Sequence, residues 1–270
     1  MLMNADEHRD LRKLLELLER AKRWEELTGN PSDRWQAQAG SALAGDDAKT
    51  DPYQLSHAAW HALTVAVDHL HCLRNSLAGE LENDRLSVRI HTHAQSSLVR
   101  GAIENGARAV WLLGPATRLI RVKRRLSLEA MEVHHSYRLR ELAGAPGRRT
   151  KDQRVQQLRE LAVADGVPDP DVKKAVTPPQ YSHIVREAGD LTVLGADLAD
   201  VIWSGCSSIA HGDLSGTLGI LDKQIVARDK GVAYARVTGS ISGLYWRAAG
   251  AVGMIEHGFN LYRRRAAGYY

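Results

Sequence analysis

Apolar residues recur along most of this chain at steps of three and four, the period that gives a helix one buried stripe. From Ala5 to Thr28 the stripe is Leu11, Leu14, Leu15, Leu18, Ala21, Trp24 and Leu27, with Asn4 as cap and "GNP" as stop. Charges fill its other faces, so this helix lies on something. A shorter helix is expected from Asp33 to Ala44, followed by a loop through "AGDDAKTDP". Asp51-Pro52 joins a capping carboxylate to a proline suited to the first helical position, which predicts a helix from there to about Leu77. Long helices follow over about Ser87 to Leu113 and from Pro115 to Leu142, with a shorter one over Lys151 to Ala164. "DGVPDPD" and "TPPQYSH" make the most irregular stretch, the expected place for a lid or linker. A helix from about Leu194 to Ala210 ends on "SSIAHGDLSG".

Beyond Gly216 the helical period fails. Two alternating, β-branched runs flank "RDKG" and predict a β-hairpin over 217–238. A last helix, from Ser240 to about Arg265, carries Gly243, Ala249, Gly250 and Gly253, small residues that let another helix approach closely. The expected fold is all-α: one domain of long antiparallel helices in a bundle, with a small β-hairpin insertion before the last helix. Its parts are an amphipathic helix plus a short one (1–50), three long core helices (51–145) and a short helix with the irregular segment (146–193). A helix bearing Ser207 and His211, the hairpin and the C-terminal helix complete it (194–270).

Composition changes this picture little. At 270 residues, 44% hydrophobic and 25% charged, the chain is long enough for a sizeable core. A net charge of +4 is too weak by itself to imply nucleic acid, which needs clustered charge. Cys72 and Cys206 are expected to be buried, reduced thiols. The charged N-terminus has no apolar h-region, and no uncharged run reaches the roughly 18 residues of a spanning helix, so a cytoplasmic protein without membrane contact is expected. No P-loop, dinucleotide fingerprint, Gly-x-Ser-x-Gly elbow or Cys-x-x-Cys pair occurs, and no cofactor is indicated.

Chemistry can sit in a few places. Arg100, Glu104 and Arg108 share one helical face, as a solvated ion-pair ladder or as a partly buried pair that orients a group across the bundle. Ser207 and His211 lie one turn apart, and Gly212 supplies a left-handed helix stop. The histidine then either complements the helix dipole or faces inward as a proton-transfer group with Ser207. Arg118, Arg121 and Arg125 form a basic stripe that could track phosphates, or pair internally with acids such as Glu104, Glu129 and Glu132. His57 and His61 have the spacing of a helical zinc pair, and Glu132-x-x-His135 that of half a di-iron motif. Each occurs once, so no metal site is assigned.

The order Leu98-x-Arg100-x-x-x-Glu104, Trp111-Leu112-Leu113, Arg121, Arg125 and Ser207-x-x-x-His211-Gly212 resembles a group of uncharacterised actinobacterial helical proteins with a domain of unknown function. The resemblance spans roughly Asp68 to Ser215. It implies a helical fold in which the Arg–Glu helix and the Ser–His helix belong together, and it implies no activity. A weaker similarity links the chain to helical nuclease domains of the HEPN type, whose Arg-x(4–6)-His motif is matched here by Arg85-x5-His91 alone. Besides a metal-binding helical bundle built on the His57–His61 pair, two readings follow. One is a binding module, a homo-oligomer or a partner of RNA or another anion, with Arg100, Glu104, Ser207 and His211 as its polar centre and Arg121 and Arg125 nearby. Its dimer surfaces would be the first and last helices. The other is a ribonuclease-like hydrolase with His211 as general acid/base, Arg100 or Arg121 stabilising charge and Glu104 orienting one of them.

Overall fold

The computed structural model describes residues 4–29, 36–82, 85–145 and 147–268; the side chains of 80–86 lie outside it. It is an all-α domain with small β insertions. In chain order the elements are α1 (Ala5–Gly29), α2 (Ala42–Thr50), α3 (Leu55–Leu77), β1 (Ala78–Glu82), β2 (Arg85–Val88), α4 (Ala94–Leu113), α5 (Arg118–Leu142), α6 (Lys151–Ala164), α7 (Asp169–Ala175), α8 (Tyr181–Asp190), α9 (Gly195–His211), α10 (Leu214–Ile220), β3 (Asp222–Asp229), β4 (Val232–Thr238) and α11 (Ile241–Ala266). No helix among the described residues is long and apolar enough to cross a membrane.

At the centre lies α4, which packs against α3, α8, α9 and α11. Its positions Val99, Ala102, Ile103, Ala107, Ala109, Val110, Leu112 and Leu113 are all buried, because a helix with neighbours on several sides needs apolar residues around most of its circumference. Close approach needs small residues: a Cβ on Gly101 would overlap the His69 ring of α3, and one on Gly258 would press on Leu63. The buried Leu14, Leu18, Ala21 and Trp24 of α1 join the same core, where Trp24 stacks on Phe259 of α11 at 5.6 Å. The apolar face of α1 is thus buried within the molecule; of the small residues of α11, Gly250 packs closely on Ile202 of α9, whereas a Cβ on Gly253 would meet open space. A second core holds Val122, Leu126, Ala130 and Val133 of α5 against Leu158 and Ala162 of α6 and Val172 and Ala175 of α7.

Several boundaries differ from the sequence reading for local reasons. Of the helix expected from Asp33 to Ala44, residues 36–41 are not helical; α2 starts only at Ala42 and takes in "AGDDAKT", expected to be loop, capped by the Ser41 hydroxyl, which accepts from the Ala44 amide at 3.0 Å. Positions 33–35 of that expected helix lie outside the described residues. Asp51-Pro52 turns the chain, and α3 begins three residues later. Residues 78–82 and 85–88 pair as antiparallel strands, with Ala78 opposite Val88 and Leu81 opposite Leu86, so α4 starts at Ala94 and not Ser87. Buried Gln95 secures that start: its amide donates to the Ser76 hydroxyl and to the Arg89 carbonyl, and its oxygen accepts from the His91 amide. The irregular 165–193 segment contains two packed helices, α7 and α8, with Ile184, Val185 and Ala188 fully buried. The later hairpin, expected over 217–238, forms over 222–238, because residues 214–220 make the short helix α10; it turns on Lys230 and Gly231 at φ 46° and 81°.

Candidate functional site

The facing of α4 and α9 puts Glu104 and Trp203 together. The Trp203 indole donates to Glu104 Oε2 at 2.9 Å, and the same carboxylate holds Arg100 one turn back at 3.2 Å. The Arg100 guanidinium stands 5.7 Å from the centre of the Trp203 ring, a cation–π contact that closes a three-residue cluster. Glu104 keeps only 15% of its side-chain surface and Arg100 31%, so this pair is partly buried and not a solvated ladder. One turn further along α4, Arg108 reaches Asn105 at 3.3 Å and Glu132 of α5 at 3.4 Å.

The surroundings are cationic. Burial raises the Tyr181 phenol above its ordinary pKa, and its ring sits within the fields of Arg108, Glu104, Glu132 and Arg100. Cys206, on α9 beside Trp203, is fully buried; burial pushes its thiol up to about 11, against the opposing pull of Arg247 and Arg100. Burial also lowers the Arg247 guanidinium, the unfavoured direction for a cation, and no carboxylate pairs with it among the described residues. Arg100, Arg108 and Arg247 each have a buried Nε without a protein partner. Arg100 thus pairs with Glu104 and Arg108 with the half-exposed Glu132, while Arg247 shares with Arg100 only the field at Cys206.

The other predicted residues fall outside this cluster. Ser207 is half-buried one turn after Trp203 and makes no hydrogen bond among the described residues. His211 is exposed at the end of α9, about 12 Å along the axis from Trp203. No hydrogen bond or ion pair joins it to Arg100 or Glu104 among the described residues. Gly212, at φ 73°, ends the helix in the left-handed conformation as its sequence suggests. Trp203, which the sequence pattern does not single out, is the α9 residue that meets Glu104. The signal was present, since a tryptophan on a buried helix must place its N–H somewhere.

Two of the three arginines of the basic stripe, Arg121 and Arg125, turn inward, and the exposed Arg118 is tied to an acid. Arg121, 2% exposed, makes two bonds to the fully buried Asp46 of α2, at 2.6 and 2.7 Å, and donates to the Pro115 and Ala116 carbonyls. Arg118 joins Asp46 at 3.1 Å, and Arg125 pairs with buried Glu129 at 2.9 Å. Further cations line a cavity of about 300 Å³ between the end of α5 and the start of α6: the exposed Arg140 and Arg149 and the half-buried Lys151 and Arg154, with Glu141 beside them. His57 and His61 are both exposed on α3, Glu132 and His135 are exposed on α5, and no group of three possible metal ligands occurs among the described residues. Cys72 is exposed, contrary to expectation. His91 is also exposed, and the side chain of its motif partner Arg85 lies outside the described residues.

Comparison of the chain with protein-family models, with curated proteins and with solved structures returns no match.

Proposed function

We propose that this chain is a helical binding module that captures an anionic partner at the Arg100–Glu104–Trp203 centre, with Arg108 and Arg247 as further contacts. The observation that carries this reading is the set of buried Nε groups without a protein partner on Arg100, Arg108 and Arg247: Arg100 is held on Glu104 with Trp203, shares the field at Tyr181 with Arg108, and shares the field at Cys206 with Arg247. A buried donor without an acceptor costs about 1–3 kcal/mol, more when it is charged, and a carboxylate or phosphate ligand would supply acceptors and charge together. Glu104 in this reading is a positioning residue: with Trp203 it holds the Arg100 guanidinium in one orientation. A ribonuclease needs its imidazole within reach of an arginine, and the exposed His211 has no such contact among the described residues, so the binding reading is the better supported.

The test is a thermal-melt titration with inorganic phosphate and, separately, with a short single-stranded RNA, for wild type, Arg247→Gln and Arg154→Gln. Stabilisation that rises with ligand and disappears in Arg247→Gln is the expected result. Loss in Arg154→Gln alone would move the site to the α5–α6 cavity. No stabilisation by either anion would remove the reading, and cleavage of the RNA would replace it with the hydrolase.

A further inference from the structure

The β3–β4 ribbon stands out from the helices. Every residue of β3 is exposed, and so is all of β4 except the half-buried Val237. Ile225, Val226, Val232 and Tyr234 are each more than half exposed. A two-stranded ribbon in water is marginal and gains from a further strand or a packing surface. Each strand here has one partner, so each keeps one unpaired edge among the described residues.

The two edges are not alike. On β3 are Asp222, Lys223, Arg228 and Asp229, and its pairing register shifts between Ile225 and Ala227. Charge and irregularity of this kind blunt an edge against further pairing. By contrast β4, "VAYARVT", has a regular register, no proline and one charge, Arg236. The protective devices are on one edge only.

We propose that the β4 edge is a self-association surface, on which β4 of a second copy of this chain pairs antiparallel about a twofold axis through Ala235. The occupant follows from the strand's own complementarity. About that axis Arg236 lies opposite Tyr234 of the partner subunit and Tyr234 opposite the partner's Arg236, so the single charge of each strand meets the ring that attracts a cation. Ala233 faces the partner's Val237, and Ala235 faces the partner's Ala235. Because Ile225 pairs with Ala235 inside each ribbon, one apolar row crosses all four strands. Moving the axis to Arg236 would bring two guanidiniums face to face, which disfavours that register. The resulting sheet has β3 on both outer edges, where the charges and the register shift stop further growth. This inference is independent of the anion site.

Light scattering and sedimentation over a micromolar concentration series test it. Wild type is expected to double its mass from 29.8 kDa as concentration rises. Ala235→Lys and Ala235→Glu each place like charges on the axis and are expected to stay at the single-chain mass, with unchanged circular dichroism and melting. Mixed in equal amounts, the two variants are expected to regain the doubled mass. Tyr234→Ala, which leaves the backbone edge intact, is expected to weaken association several-fold. A wild type that stays at the single-chain mass, a dimer undisturbed by Ala235→Lys, assemblies larger than two, or no recovery in the mixture would each overturn the proposal.

Discussion

A buried indole N–H has to find an acceptor, and Trp203 finds it in Glu104, a residue 99 positions earlier. That bond joins the two helices that the sequence pairs only through resemblance. Arg100 and Glu104 were legible as an i,i+4 pair, but their burial was not, because spacing is the same on a solvated face and a packed one. The cysteines make the same point. Both lie in helical stretches, yet Cys206 is fully buried with its thiol pushed up to about 11 by burial, whereas Cys72 is exposed. The thiolate is the reactive form, so at pH 8 a maleimide should label Cys72 alone in the native protein. Mass spectrometry should find the second label only after unfolding; prompt native labelling of Cys206 would contradict its placement.

At the scale of elements, α5 has two occupied faces. One carries Val122, Leu126, Ala130 and Val133 to the second core, and the other sends Arg121 to Asp46 of α2. Arg118, Arg121 and Arg125 were visible in the sequence as a stripe and Glu129, the partner of Arg125, as one of its candidate acids, but Asp46 was not: it is 75 residues from Arg121 and lies in a run that reads as loop. Removing one partner of a buried pair strands the other. Asp46→Ala should therefore cost about 3–5 kcal/mol in denaturant unfolding, and pairing Asp46→Leu with Arg121→Met should recover much of the loss. A cost below about 1 kcal/mol would mean that Arg121 reaches solvent. The β1–β2 pair escaped notice because its strands are only five and four residues long, too short for period two to stand out from helical patterning.

For the whole molecule, the docking of α1 depends on charge as well as on its leucines. Glu25 receives Arg74 at 2.5 Å and His71 at 2.7 Å, both from α3. Burial alone would raise the Glu25 carboxyl, but the hydrogen bonds and charges of His71 and Arg74 outweigh it and hold its pKa below the ordinary value. A carboxylate with a lowered folded-state pKa contributes in full above its unfolded value and loses that contribution as pH falls through the folded one. The stability difference between wild type and Glu25→Gln should accordingly be constant near neutrality and shrink on acidification below the usual carboxylate range. Urea unfolding across pH checks this, and a difference that grows in acid would reverse the assignment.

Helix type, the left-handed stop at Gly212, the later hairpin and the extent of α6 follow from local rules of period, capping and turn chemistry, so the sequence alone determined them. The burial of Arg121, the outward turn of His211 and the meeting of Trp203 with Glu104 were decided only by tertiary structure. The reason is physical: whether a polar side chain faces water or a partner depends on which helix packs over it, and that neighbour comes from a distant part of the chain.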